Sequence, residues 1–230
     1  MDIRFTNKRA LVTGAGKGIG RGVAIALHKA GAQTHPGIET VNLDIGDWSA
    51  TRQVVSNLGH FDLLVNNAGV HKMVPFLEFP EEEIDRVFAI NYKAAFNIAQ
   101  VVARGMVERG TGGAIVNVSS DSSPRGFQGE AAYGPSKAAM DSLTRVMALE
   151  LGPKKIRVNS VQPSLTRTPI IESTYLKDKS LYEPLLNRIP LGRISEVSDV
   201  TAAILFALSD QAAMIHGTAL LVDGGMNYCG

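Results

Sequence analysis

Residues 9–22 read RALVTGAGKGIGRG. The run RALVTGA (9–15) predicts a strand that stops at a glycine turn, and IGRGVAIALHKAG (19–31) predicts a helix closed by Gly31. Gly14, Gly18 and Gly20 let the backbone turn tightly, approach a pyrophosphate and pack the following helix on a sheet. That helix would offer its free N–H groups, with Ile19 at its start, and its positive dipole end to phosphates. The spacing is G-x-x-x-G-x-G, so the usual dinucleotide pattern is not met literally. A glycine-rich turn without ligand is the bland alternative. Lys17 lies inside the loop and could pair with the 2′-phosphate of NADP, or could be a solvated surface lysine.

Working outward, short apolar runs alternate with segments of helical period. ETVNLDI (39–45), FDLLVNNAG, GGAIVNVSS, IRVNSVQPS and TALLVDGG predict further strands. Helices are expected around Trp48–Leu58, over 81–110 with a possible bend near Asn91, over 131–152, and through VSDVTAAILFALSD. Continuous apolar strands separated by helices mean a parallel sheet covered on both faces, the doubly wound α/β architecture. Residues 1–230 read as one Rossmann-like dinucleotide-binding domain, with a lid at about 164–190.

One element is short. Between Gly31 and Glu39 only seven residues remain, AQTHPGI. A second strand and a crossover helix average about five and about eleven residues. The second strand and following helix are therefore read as missing from this sequence. A true deletion would bare apolar sheet at several kcal/mol, so an omission between Gln33 and Glu39 is the favoured reading. A Cα–Cα step through 32–36 well beyond about 3.8 Å would reveal it.

The balance of the chain excludes several roles. A formal charge of +1 provides no field to gather nucleic acid or anionic membrane. The longest apolar run, Ala202–Leu208, is too short to span a bilayer. The single cysteine, Cys229, cannot form an internal disulfide, and MDIRFTNKRALV has no apolar stretch of signal-peptide length. A cytoplasmic protein without a metal site is expected.

The second candidate site is NVSS followed by YGPSK. Tyr133 and Lys137 are four apart on a predicted helix and share one face. A free tyrosine titrates near ~10, and a nearby ammonium lowers that value. Ser120, at a strand end, can donate to a carbonyl oxygen. Each signal alone has a structural reading: Tyr-x-x-x-Lys is common on amphipathic helices, and Ser-Ser at a strand end usually caps or turns.

Together, TGAGKGIG, NNAG, Asn91 in INYKAAF, Ser120, YGPSK, PLGR and VDGG stand in the order seen in the short-chain dehydrogenases/reductases, which the chain resembles over nearly its whole length. The resemblance implies an NADP(H)-dependent reduction of a small carbonyl or polyol-related substrate. Ser120 and Tyr133 would bind that substrate. Tyr133 would give the proton, Ser120 would polarise the carbonyl, and Lys137 would hold the nicotinamide ribose. Asn91 would bend its helix and hold a relay water. Asn67, Ala68 and Gly69 would line the cofactor groove, Asp44 and Ile45 would meet the adenine, and Val161, Pro163 and Thr168 would flank the nicotinamide. Asp44 could instead cap the next helix, and Asn67 could be structural. Arg167, Tyr175 and Tyr182 would face either a polyol or solvent. Asp121 and Glu130 stand where a glutamine and a histidine occur in related reductases. A homotetramer is also implied, built on Phe88, Ala95, Phe96, Ala99, Met140, Leu143 and Met147. Reduction of another ketone (steroid or 3-oxoacyl), or a catalytically silent cofactor-sensing or scaffold role, are the alternatives.

Overall fold

A computed structural model describes residues 3–32, 39–174 and 179–227. Five parallel strands form the sheet: β1 (Ala10–Val12), β2 (Leu63–Asn66), β3 (Gly113–Val118), β4 (Ile156–Pro163) and β5 (Ala219–Val222), in the spatial order β1-β2-β3-β4-β5. In-register pairs such as Leu64 with Ile115 and Ile115 with Val158 run through its centre.

Alternation along the strands feeds two cores. Leu63, Val65, Val116 and Val161 face α1 (Gly18–Lys29) and α8 (Val197–Leu208), packing with Val23, Leu27, Val200 and Ile204. Leu64, Ile115, Ile156 and Val158 face the other side, with Val55 of α2 (Trp48–Asn57), Ile98, Val102 and Met106 of α4 (Ala94–Arg109), and Ala148 of α5 (Tyr133–Leu151). Both faces are covered, so β2, β3 and nearly all of β4 are buried along their length.

The predicted helix over 81–110 is three pieces. α3 (Glu81–Phe88) passes into a π turn, Ala89–Lys93, before α4 begins. The π turn contains Asn91, so the expected bend falls on that residue. Gly110 closes α4 in a left-handed conformation, φ 66°, which glycine adopts without steric cost.

One expectation fails. ETVNLDI is not a strand: residues 39–43 carry no strand pairing, and Glu39–Asn42 are exposed. A strand here has only β1 to join, and it would have to do so through an intervening strand that the described chain does not contain. β1 is therefore the edge of the described sheet. The join itself, Gln33–Ile38, lies outside the described residues, and with it the distance test. The residues assigned to the tetramer faces divide: Ala95, Ala99, Met140 and Leu143 are buried within the chain itself, so helix packing already accounts for them, whereas Phe88, Phe96 and Met147 are half-buried. The apolar side chains left exposed on α4 and α5 are Val107, Val146 and Leu149, the last 81% exposed.

The stretch 164–190 carries α6 (Pro169–Thr174) and α7 (Lys179–Leu186). Tyr182 packs beside a small core of Ile189, Ile194 and Met226. Arg167 donates from Nε to Glu196 at 3.0 Å on the surface. Tyr175 lies outside the described residues, as does Cys229. Among the described residues no helix is long and apolar enough to cross a membrane, and no cluster of three His, Cys, Asp or Glu side chains could hold a metal ion.

Candidate active site

The carboxyl ends of β1 to β4 converge on one edge, and each functional side chain stands where a strand stops. At β1 the chain turns through Gly14, with φ 65°. A Cβ there would lie 2.9 Å from both the Ala68 Cα and the Asn67 Nδ2. A Cβ at Gly20 would collide with Gly14 and Asn67, so both positions require glycine. Thr13 fastens the loop to the end of β2: its hydroxyl accepts from the N–H groups of Asn67 and Ala68, at 2.9 and 3.0 Å. The Asn67 amide in turn donates to the Thr13 and Gly14 carbonyls. Lys17 occupies the N-cap of α1 without a side-chain cap bond. That leaves the helix end without the usual Ser, Thr, Asp or Asn competitor for its amides, which fits an anion such as a pyrophosphate. Ile19 is half-buried against the core behind this end. Thr168 lies across the loop, with its methyl 3.4 Å from where a Gly18 Cβ would stand.

The chemistry-bearing groups gather between β3, β4 and α5. Lys137 is buried and donates from Nζ to the Val118 carbonyl at 2.9 Å. Its Nζ stands 5.7 Å from the centre of the Tyr133 ring, one turn earlier. Burial pushes the ammonium down to about 8, while the carboxylate of Asp141 acts in the opposite direction. Asn91 is fully buried and uses its side chain completely on the protein. Its Oδ1 accepts from the Val70 N–H at 2.8 Å, and its Nδ2 donates to the Val70 carbonyl and the Ser136 hydroxyl, both at 3.0 Å. A Cβ on Gly69 would lie 3.3 Å from Asn91 Oδ1 and 3.5 Å from Lys137 Nζ, so the π turn brings Asn91 and Lys137 to the same place. Ser120 is buried just beyond β3; its hydroxyl faces Asp121 Oδ1 at 3.3 Å and Ser122 Oγ at 3.2 Å. Val161 is buried in β4, and Pro163 ends that strand, its carbonyl accepting from the Asp121 N–H at 3.0 Å. Burial pushes the Asp121 carboxyl up to about 6, with Arg125 opposing the rise.

At the adenosine side the picture is thinner. Asp44 is exposed and its Oδ1 accepts from the Gly46 N–H at 2.9 Å. It does not cap the next helix: Asp47 does, accepting from the Ala50 N–H. Ile45 is half-buried against the core.

With these positions fixed, the likenesses to known proteins have a structural meaning. A family described as enoyl-(acyl carrier protein) reductase matches residues 37–227. L-xylulose reductase of Homo sapiens is 46% identical, with all of both chains covered. D-erythrulose reductase of Gallus gallus is 47% identical over 97% of each chain. A gluconate 5-dehydrogenase of Burkholderia cenocepacia J2315, solved with NADP and tartrate, superposes with a TM-score of 0.92 at 28% identity, covering 100% of this chain and 98% of that one.

The chain belongs to the short-chain dehydrogenase/reductase family.

Membership also speaks to the short stretch after Gly31. The alignment with the human reductase runs over 245 positions, whereas this chain has 230 residues. At least fifteen positions of that reductase thus have no counterpart here, the size expected for the absent segment. The family match itself begins at Gly37, within the join.

Five residues escaped the sequence reading. Thr13 bridges two strand ends. Asn66 donates to Asn117 at 2.9 Å, and Asn117 to Thr144 at 2.8 Å, which ties β2, β3 and α5 together below the site. His71 meets the Tyr133 ring edge-to-face at 4.7 Å. The polar residue beside an apolar strand was the available signal for Thr13 and Asn66. His71 had none, because only the fold brings it to Tyr133.

Proposed function

We propose that this member of the short-chain dehydrogenase/reductase family is an NADPH-dependent carbonyl reductase that reduces L-xylulose to xylitol, and small α-dicarbonyls. The observation that carries the reading is the meeting of Tyr133, Lys137 and Asn91 beside Gly69, with Ser120 just beyond β3 and a glycine loop in which a side chain has no room. When bound, NADPH supplies the hydride. Tyr133 gives the proton to the substrate oxygen, a step that a positioned acid accelerates typically 10²–10⁴-fold. Ser120 orients and polarises the carbonyl. Lys137 holds the nicotinamide ribose hydroxyls and, while charged, favours the phenolate that Tyr133 becomes. Asn91 fixes the Val70 backbone and Ser136, and so sets the floor on which Lys137 lies.

Gly14, Lys17, Gly18, Ile19 and Gly20 would hold the pyrophosphate side, with Asn67, Ala68 and Gly69 along the groove and Pro163 and Thr168 at the nicotinamide. Asp44 and Ile45 would remain at the adenine. Preference for NADPH over NADH rests on Lys17 alone. Stretches such as DLLVNNA and VMALELGPKKIRVN support the ketose reading, as do the names of the human and chicken relatives. The segment 164–190 would act as the lid. A homotetramer would bury Val107, Val146 and Leu149, and a lone thiol suits the cytoplasm. Light scattering at micromolar concentration tests the assembly; a monomer counts against it.

The activity is tested by NADPH oxidation at 340 nm with L-xylulose and diacetyl against a panel of steroid ketones. Turnover of the first two supports the reading. Turnover of the panel alone moves it to another ketone. Bound cofactor with no turnover moves it to a silent sensor.

A further inference from the structure

Asp141 stands one turn beyond Lys137 on α5, and both are buried, at 4% and 3% exposure. A carboxylate in the interior is costly unless ionic partners and hydrogen bonds satisfy it. Asp141 is poorly provided for. Its Oδ2 accepts one bond, from the neutral Gln162 amide at 2.6 Å. Its Oδ1 is buried without a donor among the described residues. No described lysine, arginine or histidine forms a salt bridge with it.

The Lys137 ammonium is in the matching position. It donates to the Val118 carbonyl at 2.9 Å and likewise forms no salt bridge among the described residues. On its own helix it faces Tyr133, whose ring centre is 5.7 Å from Nζ, and feels the charge of Asp141. Asn91 and Gly69, across from it, are uncharged. Beyond β3, Asp121 is bound to Arg125 at 3.2 Å, and beside the Tyr133 ring His71 is bound to Glu130 at 2.9 Å. The one charge on β4, Arg157, is spent on carbonyls at the far end of that strand. In the π turn Lys93 is exposed and Tyr92 leans on Phe96. α3 and α4 carry their charges at the surface or in pairs. Asp121 and Glu130 thus each have a partner of their own, and Asp141 has none.

Residues four apart on a helix have Cβ atoms about 5–6 Å apart, so the two opposite charges act on each other across the interior with no hydrogen bond between them. That separation is useful. An ammonium has three N–H groups. One is spent on Val118, and a carboxylate in contact would take another from the ribose hydroxyls that Lys137 would hold. From one turn away Asp141 supplies charge and takes no hydrogen. The charge is also needed. Burial brings the ammonium down to about 8 even with Asp141 opposing it. Removing an opposite charge at this range moves a buried group by about one unit or more, which would leave much of Lys137 uncharged at pH 7.

We infer that Asp141 is the countercharge of Lys137, a positioning residue that keeps the ammonium protonated at neutral pH without occupying it. For its part in turnover the inference rests on the reductase reading above; for the charge itself it rests on the folded chain alone.

Carbonyl reduction should fade as pH rises and Lys137 loses its proton. In Asp141→Asn this alkaline limb of kcat/KM for L-xylulose should lie about one unit lower. At pH 8 the variant should then be about five-fold slower than wild type, and at pH 6 within about two-fold. Asp141→Glu, which keeps the charge, should leave the limb within about 0.3 unit. A merely structural role would lower the rate alike at every pH. Stability gives a readout that needs no turnover. A lysine held below its unfolded value makes stability rise with pH between the two values. By urea titration that rise should begin near pH 8 in wild type and about one unit lower in Asp141→Asn. A limb and an onset both within about 0.3 unit of wild type in Asp141→Asn overturn the inference. Should that variant fail to fold, Asp141→Ser decides by the same threshold. If wild-type protein reduces no carbonyl, the reductase reading falls, and the onset in Asp141→Asn still decides for or against the countercharge.

Discussion

At the β3–α5 side of the carboxyl edge, Lys137 and Asn91 are buried and hydrogen-bonded to the protein, and the Asn66–Asn117–Thr144 chain holds the strands and α5 beneath them. At the β1 side, Glu39–Asn42 are exposed and unpaired, and the Asp44 carboxylate is held by one local N–H. Both regions serve one reaction. The first needs reacting atoms fixed to fractions of an ångström, which only packing and satisfied polar groups provide. The second would read the cofactor's ribose, where a loss would cost affinity rather than chemistry. The contrast teaches that catalysis and cofactor reading are separately built, so one can be complete while the other is not.

The sharpest attempt to break this contrast is Tyr133→Phe. Turnover should fall about 10³-fold or more, while NADPH binding, followed by fluorescence, stays within about three-fold. A variant that keeps most of its kcat removes Tyr133 from the chemistry and the contrast with it.

Lys137 allows a second attempt, through stability. The unfolded chain holds an ordinary lysine near 10.5, and the folded chain one near 8. Between those values the unfolded state binds more protons, so stability rises with pH from about 8 to about 10.5 and gains nothing below 8. The gain is at most about 3 kcal/mol. Urea titrations at pH 8 and pH 10 should show this rise in wild type and not in Lys137→Met. Equal slopes would mean the lysine is not buried as described. The same variant should lose both turnover and cofactor affinity.

A smaller effect probes the adenosine side. Inserting a strand-and-helix segment of about fifteen residues from a ketose reductase after Ala32 should tighten NADPH binding about ten-fold, with kcat within about two-fold. Tight, NADPH-selective binding without the insertion would show that the β1 side is complete already. Last, Asp44→Ala removes one exposed turn bond and should cost no more than about 1 kcal/mol of stability by chemical denaturation; a larger loss would reveal a deeper role.

Much of this was legible in the sequence, and for physical reasons. β2 and β3 are buried on both faces, so their apolar runs are continuous and easily read. Gly14, Gly20 and the Tyr133–Lys137 spacing carry steric and helical constraints that survive in one dimension. ETVNLDI misled because its pattern suits a strand, while strand formation depends on a neighbour to pair with. Ala95, Ala99, Met140 and Leu143, assigned to subunit contacts, show a related limit of pattern: it identifies an apolar face but does not say whether α4 and α5 bury it within the chain. His71 could not be read at all, since it lies far from Tyr133 along the chain and nothing local marks it.

The strand order has a consequence for how the molecule forms. In β1-β2-β3-β4-β5 each strand lies beside the one made just before it. Among the described residues no later strand must find the far edge of an earlier one, as happens where a sheet reverses its order. Every pairing joins strands that follow one another in the chain, so no loop closure has to span an intervening strand. The sheet can therefore grow in one direction as the chain leaves the ribosome, with β1 to β3 and the π turn in place before α5 is made. Tyr133 and Lys137 would then arrive on a surface that β1 to β3 have already formed, with β4, α8 and β5 still to follow.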